Sequence, residues 1–311
     1  MDDIILKIMP ALELQSKSKV GLDGGATGLL LLHYMGLKLK RNYVSLSTVE
    51  SLKNDLIQHF SATTYNRSFL SGKLGFIWLM NFLEQKKICR IETNLFKSLR
   101  SLYNQFSACN EVPSIIPPCD KVYGEGLTLL SFLNDEESIF QYSVRERIIK
   151  HIDDCDRILN HPIEGIHDVL SITDRMLHSI FYFINTAHKY GIYPYKTQKL
   201  LNYFKSIDRK CNPIVSSDSI ILNSLLSQKS ICNIHNIYML DTFLELLSAI
   251  GLFSIIYYEE KTLSNIFMTI FNFHKSYIRH KIERMDSLSS LSRLNGICFG
   301  LLFYELNYMK Q

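Results

Sequence analysis

Apolar and polar residues follow one another along most of the chain with the period of an α-helix. The segments LKNDLIQHF from Leu52, VRERIIKHIDDCDRIL from Val144 and NIFMTIFNFHKSYIRHKI from Asn265 place apolar side chains three and four residues apart. This spacing is the pattern of an amphipathic helix. The two-residue alternation of a half-buried strand is sparse, and no succession of strands and helices can be traced. The sequence therefore predicts an all-α protein.

A glycine-rich stretch, GLDGGATGLLLLHYMG at residues 21–36, leads into an apolar run. A dinucleotide-binding loop requires a buried strand before its glycines, and the polar segment QSKSKV stands there instead. A P-loop requires Gly-Lys followed by Ser or Thr, whereas Gly72-Lys73 is followed by Leu74. We therefore interpret these glycines as turn and packing residues.

The same turn recurs along the chain. The segment Gly25-Ala26-Thr27-Gly28 reappears 47 residues later as Gly72-Lys73-Leu74-Gly75, and HDVLSITDRMLHSIFYFI from His167 has a similar position and length without glycines. Glycine-bearing turns before apolar helices, at a period of about fifty residues, predict pairs of one outer amphipathic helix and one inner apolar helix. The glycines expected at the inner ends are Gly25, Gly72, Gly124 and Gly296.

Composition narrows the class of protein. Of 311 residues, 47% are apolar and 21% are charged, and the formal net charge is +4. The apolar runs are too short to span a bilayer, and the charge is too small to indicate a nucleic-acid partner. The acidic start MDDIILKIMP does not resemble a signal peptide, and seven cysteines without a pairing rhythm suit a reducing compartment. We expect a cytoplasmic protein with a single domain over residues 1–311, no stable membrane insertion and no nucleic-acid partner.

The repeated turns resemble those of the lanthionine synthetase C (LanC-like) family. FLSGKLGFIWLMNFL from Phe69 resembles the second repeat of that family, GLDGGATGLLLLHYM its first and LNGICFGLLFYEL its last. The segment from His167 resembles a middle repeat, with Asp168 where the family carries an acidic residue. The resemblance implies an α/α toroid, a closed ring of six or seven helix pairs with a cavity at one end.

The resemblance also implies a chemistry. In the active members of the family, a zinc ion held by two cysteines and one histidine binds a cysteine thiol of a precursor peptide. Zinc favours the thiolate, which adds to a dehydrated residue and closes a thioether ring. A nearby acid–base residue then protonates the enolate, and Asp168 is the candidate here for that catalytic role or for substrate binding. The favoured interpretation of Asp168 is an acidic residue at a helix start, stabilised by the helix dipole.

The chain departs from the family at the zinc ligands. The Trp-Cys-Tyr-Gly and Cys-His-Gly turns of the family are missing, and Asn233 stands where the ligand histidine is expected. A substitute site could combine Cys211, Cys232 and His235, because Cys232 and His235 are three residues apart. A single such pair is weak evidence, so we favour a buried cysteine and a hydrogen-bonded histidine. We therefore predict no stoichiometric zinc.

Weaker candidates lie elsewhere. Asp174 and His178 are one helical turn apart and are interpreted as a surface pair. The basic segment HKSYIRHKIERMD from His274 could contact an acidic leader peptide or nucleic acid, but a solvated helix face is the favoured interpretation. The basic residues of this segment are Lys275, Arg279, Lys281 and Arg284.

We therefore predict a divergent LanC-like protein that binds a precursor peptide or a partner maturation enzyme without the cyclisation chemistry. Two alternatives remain open. One is an active zinc-dependent lanthionine synthetase. The other is an unrelated helical-repeat interaction protein, since helix pairs can resemble one another without kinship.

Overall fold

A computed structural model describes residues 2–62, 68–90, 119–133, 139–160, 174–206, 217–226, 243–258, 261–285, 287, 291 and 293–308. These residues form thirteen helices and contain no strand, which confirms the all-α prediction. The helices are α1 (Asp2–Ser16), α2 (Ala26–Lys38), α3 (Leu46–Ala62), α4 (Lys73–Gln85), α5 (Cys119–Leu130), α6 (Ile139–Asn160), α7 (Asp174–Lys189), α8 (Pro194–Ser206), α9 (Ser217–Leu225), α10 (Phe243–Ile256), α11 (Lys261–Phe273), α12 (Lys275–Glu283) and α13 (Asn295–Tyr308).

The helices belong to two compact units, of which the first contains α1–α4 and α10–α13 and the second contains α5–α9. In the first unit α4 packs on α2, α2 on α13 and α13 on α10. These helices form the interior: every residue from Ala26 to Gly36 of α2 and from Lys73 to Leu83 of α4 is buried. A helix buried on all sides needs covering helices, and here α1, α3 and α11 provide them.

The starts of three interior helices meet in the first unit. The backbone N–H of Asp23, ahead of α2, donates to the carbonyl of Leu70, ahead of α4, at 3.0 Å. The side-chain amide of Asn295, the first residue of α13, donates to the carbonyl of Leu22 at 3.5 Å. The turns that the sequence relates to one another are therefore neighbours in space.

The glycines of these turns allow the close approach. Gly25 and Gly72 precede α2 and α4 with the same extended backbone conformation. A Cβ atom at Gly28 would clash with the carbonyl of Leu22, and one at Gly75 would clash with the carbonyl of Phe69. In each helix, a glycine of the first turn therefore packs directly against the chain segment that leads into the helix. The 47-residue repeat predicted from the sequence is confirmed for these two turns.

The helices α2, α4 and α7 end with the same arrangement of backbone hydrogen bonds. After α2 the N–H of Arg41 donates to the carbonyl of Gly36 at 2.9 Å; after α4 the N–H of Ile88 donates to the carbonyl of Leu83 at 2.9 Å. This bond defines a Schellman cap, whose preceding residue adopts a left-handed conformation. Those preceding residues are Lys40, Lys87 and, after α7, Gly191, with φ values of 57, 53 and 66°.

The shared cap sets a register between α7 and the first two repeats. Counting back from the left-handed residue, Ser179 of α7 takes the place of Gly28 in α2 and Gly75 in α4. By the same count Asp174 corresponds to Asp23. The glycine-free segment from His167 is therefore a third copy of the helix over the part that the structure describes.

The prediction for Gly124 is wrong. Gly124 lies inside α5 and not in a turn before an inner helix. Its neighbour Gly126 is the residue at which packing demands glycine, because a Cβ atom there would lie 2.7 Å from the ring of Phe183 in α7. Gly296, in contrast, is the second residue of α13, close to the predicted inner end.

The first and last helices of the described chain pack against each other. Arg41, which follows α2, donates to Glu305 of α13 at 2.5 Å and to Asp2 of α1 at 3.2 Å. Within the first unit, the two ends of the described chain therefore lie close together. The closed toroid of six or seven pairs and the single domain stay predictions.

Candidate functional site

The catalytic candidate and the three residues of the substitute zinc site lie outside the described part of the chain. Asp168 belongs to residues 161–173 and Cys211 to residues 207–216, directly before α7 and α9 in the sequence. Cys232 and His235 belong to residues 227–242, directly before α10. The described part of the second unit shows how the starts of α7 and α9 are joined.

A buried histidine joins these two helix starts. His178, in the second turn of α7, has a fully buried side chain, and its Nε2 lies 3.3 Å from Oδ1 of Asp218 in α9. A carboxylate only accepts hydrogen bonds, so the imidazole donates through Nε2. The prediction of a surface pair between Asp174 and His178 is therefore wrong, because His178 is buried and bonded to another helix.

Two more contacts complete what we call the α7–α9 junction, formed by Asp174, Arg175, His178, Asp218 and Ser219. The Nε of Arg175 lies 3.3 Å from the same Oδ1 of Asp218. The hydroxyl of Ser219 donates to Oδ2 of Asp174 at 2.8 Å. Both acidic residues lie in the first turns of their helices, where the partial positive charge of the helix start stabilises a carboxylate.

The electrostatics of the junction keep His178 neutral and Asp218 charged. Burial lowers the pKa of His178 below its ordinary value, and it outweighs the opposing hydrogen bond and charge of Asp218. Burial by itself raises the pKa of Asp218, but the hydrogen bond with His178 and the charge of Arg175 bring that pKa below its ordinary value. At neutral pH the junction is therefore an Asp–Arg ion pair that carries a neutral imidazole.

The junction resembles a nucleophile–base–acid set only in composition. Ser179 follows His178 in the sequence, and its Oγ lies 3.4 Å from Nδ1 of that residue. Its hydroxyl donates instead to the carbonyl of Arg175 at 2.7 Å, and Ser179 is fully buried. A nucleophile needs access to its substrate and a base within hydrogen-bond reach. The arrangement supports a structural joint, with Arg175 as its half-exposed cation.

Sequence reasoning missed Asp218 and Arg175. The available signal was the run Ser216-Ser217-Asp218-Ser219, a cluster of capping residues with an acid near the start of a helix. Nothing in the one-dimensional pattern indicates that this helix start faces His178, which is 40 residues away along the chain.

The described residues contain no group of three or more His, Cys, Asp and Glu placed to hold a metal ion. Three cysteines can be described. Burial raises the pKa values of Cys155 and Cys298 far above the ordinary value of a thiol. It raises the pKa of the half-buried Cys89 to about 11. None of these three thiols is prepared to act as a thiolate at neutral pH.

The basic segment is exposed as predicted. Lys275, Arg279, Lys281 and Arg284 all lie on the solvent face of α12 and its C-terminal end. Arg279 pairs with Asp3 of α1 at 2.5 Å. The exposure agrees with a solvated helix face, and the choice between that interpretation and a binding surface stays a prediction.

The described residues define an all-α protein, whose first unit has interior helices covered by outer helices. Comparison with known proteins finds no match to a family model, a curated protein or a solved structure. Among the helices that the structure describes, none has both the length and the apolarity to cross a membrane.

Proposed function

We propose that the chain is a divergent LanC-like protein, an α/α toroid in the cytoplasm, that acts in the maturation of a ribosomally made peptide by binding. Its partner is a precursor peptide or the enzyme that modifies it. The observation that carries the proposal is the repeat in α2, α4 and α7, whose caps place Gly28, Gly75 and Ser179 in one register. A ring of such repeats presents several helix starts toward one end.

The starts of α7 and α9 are the part of this end that we propose contacts the peptide. Helix starts attract anionic groups and peptide carbonyl oxygens. Arg175 adds a guanidinium whose side chain is 47% exposed, and a guanidinium binds carboxylates well. Because Asp174 and Asp218 already occupy these helix starts, a single carboxylate or carbonyl oxygen of a precursor peptide, and not a strongly acidic segment, has the matching chemistry.

Binding without cyclisation follows from the chemistry of the peptide thiol. With an ordinary pKa of about 8.5, a cysteine is only a few per cent thiolate at neutral pH. Zinc would activate it, but the two ligand turns of the family are missing from the sequence. A precursor peptide can still bind to helix starts without such activation, whereas ring closure would become slow.

Three measurements on the purified protein test the proposal. Isothermal titration with a dehydrated precursor peptide encoded beside the protein should give a dissociation constant of tens of micromolar or less, roughly the affinity of a small polar interface. Free thiols of the peptide should disappear no faster than in a protein-free control. Elemental analysis of protein purified without chelator should find no stoichiometric zinc.

Two arginine variants locate the contact. Arg175→Ala should weaken binding about tenfold, because it removes a charge-assisted hydrogen bond. Arg157→Ala is the matched control, since its side chain is 72% exposed on α6 and pairs with Asp154 in the same helix. Faster thiol loss that a chelator reverses would identify an active cyclase instead. Absence of binding to peptide and maturase alike would leave the helical-repeat interaction protein.

A further inference from the structure

Exposed apolar side chains of the first unit gather on two helices that pack against each other, α1 and α12. On α1, Leu6 is 50% and Leu14 53% exposed. Phe273, the last residue of α11 and two positions ahead of α12, is 64% exposed. Among the described residues of this unit four large apolar side chains are exposed, and only the fourth, Leu46 of α3, lies elsewhere.

The same two helices carry an excess of exposed positive charge. The exposed cations on them or directly after them are Lys7, Lys17, Lys275, Arg279, Lys281 and Arg284. The exposed acids of the same segments are Asp3, Glu13 and Glu283. Six cations against three acids leave a net charge of +3 on this part of the surface. We call these charged residues, together with Leu6, Leu14 and Phe273, the α1–α12 surface.

An ion pair joins the two helices on the side of α1 that carries its leucines. Arg279 of α12 lies 2.5 Å from Asp3, between side chains that are 45% and 69% exposed. Asp3, Leu6, Pro10 and Leu14 follow one another at spacings of three and four residues, which places them on one face of α1. The opposite face of α1 packs on α2 and α13. The outer side chains of α1 can therefore enter a partner while the helix stays packed on its own unit.

Cations interspersed with aliphatic and aromatic side chains have the chemistry of a contact with an anionic lipid surface. Lysine and arginine attract the headgroups, while leucine and phenylalanine enter the boundary of the acyl chains. A nucleic acid would use the cations, but its phosphates are bound by charged and polar donors and not by leucines. The apolar side chains therefore favour a lipid partner over an anionic polymer.

We propose that the α1–α12 surface binds reversibly to a membrane that contains anionic lipids. Leu6, Leu14 and Phe273 enter the acyl boundary, and the lysines and arginines around them contact the headgroups. Helix α1 lies in the plane of the interface and remains folded on α2 and α13. Three apolar side chains and a net charge of +3 form a small anchor, so the binding is weak and depends on salt. The proposal is independent of the peptide-binding function.

Co-sedimentation of the full chain with vesicles tests the charge. Vesicles of phosphatidylcholine with about 30% phosphatidylserine should bind the protein at least about tenfold more tightly than vesicles of phosphatidylcholine alone. Lys275→Glu should weaken binding roughly 25-fold, because each cation near such a surface contributes about fivefold and the reversal counts twice. Lys150→Glu makes the same change on an exposed position of α6 and should leave binding unchanged.

Serine variants test the apolar contact. Leu6→Ser and Leu14→Ser should each weaken binding to the anionic vesicles about fivefold, and by the same factor at low and high salt, because salt screens charges only. Leu46→Ser is the matched control, since Leu46 is 64% exposed on α3. It should bind like wild type.

Three results would overturn the proposal. One is equal binding, or none, to anionic and neutral vesicles. Another is binding that Lys275→Glu weakens while Leu6→Ser and Leu14→Ser leave it unchanged, which would indicate adsorption by charge alone. The third is binding of polyglutamate or a single-stranded oligonucleotide without binding of vesicles, which would identify a surface for an anionic polymer.

Discussion

At the scale of single residues, the two histidines buried in α2 and α7 differ in their partners. His178 bonds to Asp218, whereas neither ring nitrogen of His33, which is 2% exposed, has a hydrogen-bond partner in the described part of the chain. Burial lowers the pKa of His33 below its ordinary value. A buried imidazole without hydrogen-bond partners destabilises the folded state. The destabilisation grows at low pH, because the imidazole takes up a proton more readily in the unfolded chain than in the folded one.

His33 therefore predicts a pH-dependent stability. Above its unfolded pKa of about 6.5 the histidine is neutral in both states and the free energy of unfolding does not change through it. Below that pH the unfolded chain takes up the proton first, so the free energy of unfolding falls until the folded pKa is passed. His33→Leu should remove this fall and raise the free energy of unfolding by about 1 kcal/mol at neutral pH.

Urea unfolding of both proteins between about pH 5 and 8 measures the difference. His280→Leu is the control, because His280 is exposed on α12. If the free energies of unfolding of wild type and His33→Leu differ by the same amount at every pH, protonation of His33 does not affect stability and the prediction is wrong.

At the scale of helices, α2 and α4 are two versions of one element. Both begin after an extended glycine, both pack a glycine against the segment that leads into them, and both end in a Schellman cap. The spacing of 47 residues between Gly28 and Gly75 equals that between Lys40 and Lys87. Since start and end repeat together, the length of the interior helix is the same in both copies.

Substitution of the packed glycine measures how much this element depends on close approach. Gly75→Ala should lower the free energy of unfolding by about 3 kcal/mol, because the new methyl group meets a backbone carbonyl that cannot move without the turn. Gly36→Ala is the matched control within the same kind of helix. Its methyl group would lie 2.8 Å from a methyl of the partly exposed Val44 side chain, and not from a backbone atom.

Gly36→Ala also gains up to about 1 kcal/mol from the higher helix propensity of alanine, which offsets the cost of the contact with Val44. We expect the midpoint of thermal unfolding to fall clearly for Gly75→Ala and to change little for Gly36→Ala. Equal effects would mean that the turn before α4 adjusts to a side chain.

At the scale of the whole molecule, the first unit brings the two ends of the described chain together. Arg41 stands between Glu305 and Asp2, with its side chain 24% exposed and that of Glu305 19% exposed. Both carboxylates together hold the pKa of Arg41 above its ordinary value, although burial opposes them. One guanidinium nitrogen of Arg41 contacts both oxygens of Glu305, and the other contacts Asp2. A largely buried ion pair of this kind contributes more than an exposed one, because water screens it less.

Arg41→Met should therefore destabilise the first unit by about 2 kcal/mol, since it leaves Glu305 without its cation while it preserves most of the side-chain volume. Hydrogen exchange should show the loss of protection in α1 and α13. Arg293→Met is the control: its ion pair with Glu245 spans 3.7 Å between side chains that are 71% and 56% exposed. We expect an effect of less than about 0.5 kcal/mol there, and an equal effect of both variants would contradict the role of Arg41.

Local pattern was sufficient for the helices and for the repeated turn. The apolar spacing around Leu52 and Val144 predicted α3 and α6, because burial of one face follows from residues three and four apart. The pairs Gly25–Gly28 and Gly72–Gly75 predicted equivalent turns, because a glycine pair ahead of an apolar run has few other uses once phosphate-binding loops are excluded. Such features depend only on neighbours along the chain.

By itself, therefore, the sequence determined the all-α class and the repeat, but it did not determine which polar residues are buried or what they meet. His178 was assigned to the surface because Asp174 is its neighbour on the helix, while the structure buries it against Asp218 of α9. Gly124 was placed in a turn because it resembles Gly25, yet α5 continues through it. Partners 40 residues apart along the chain meet only when helices pack, and the energy of a buried polar group depends on that partner. The tertiary structure alone decides the α7–α9 junction for this reason.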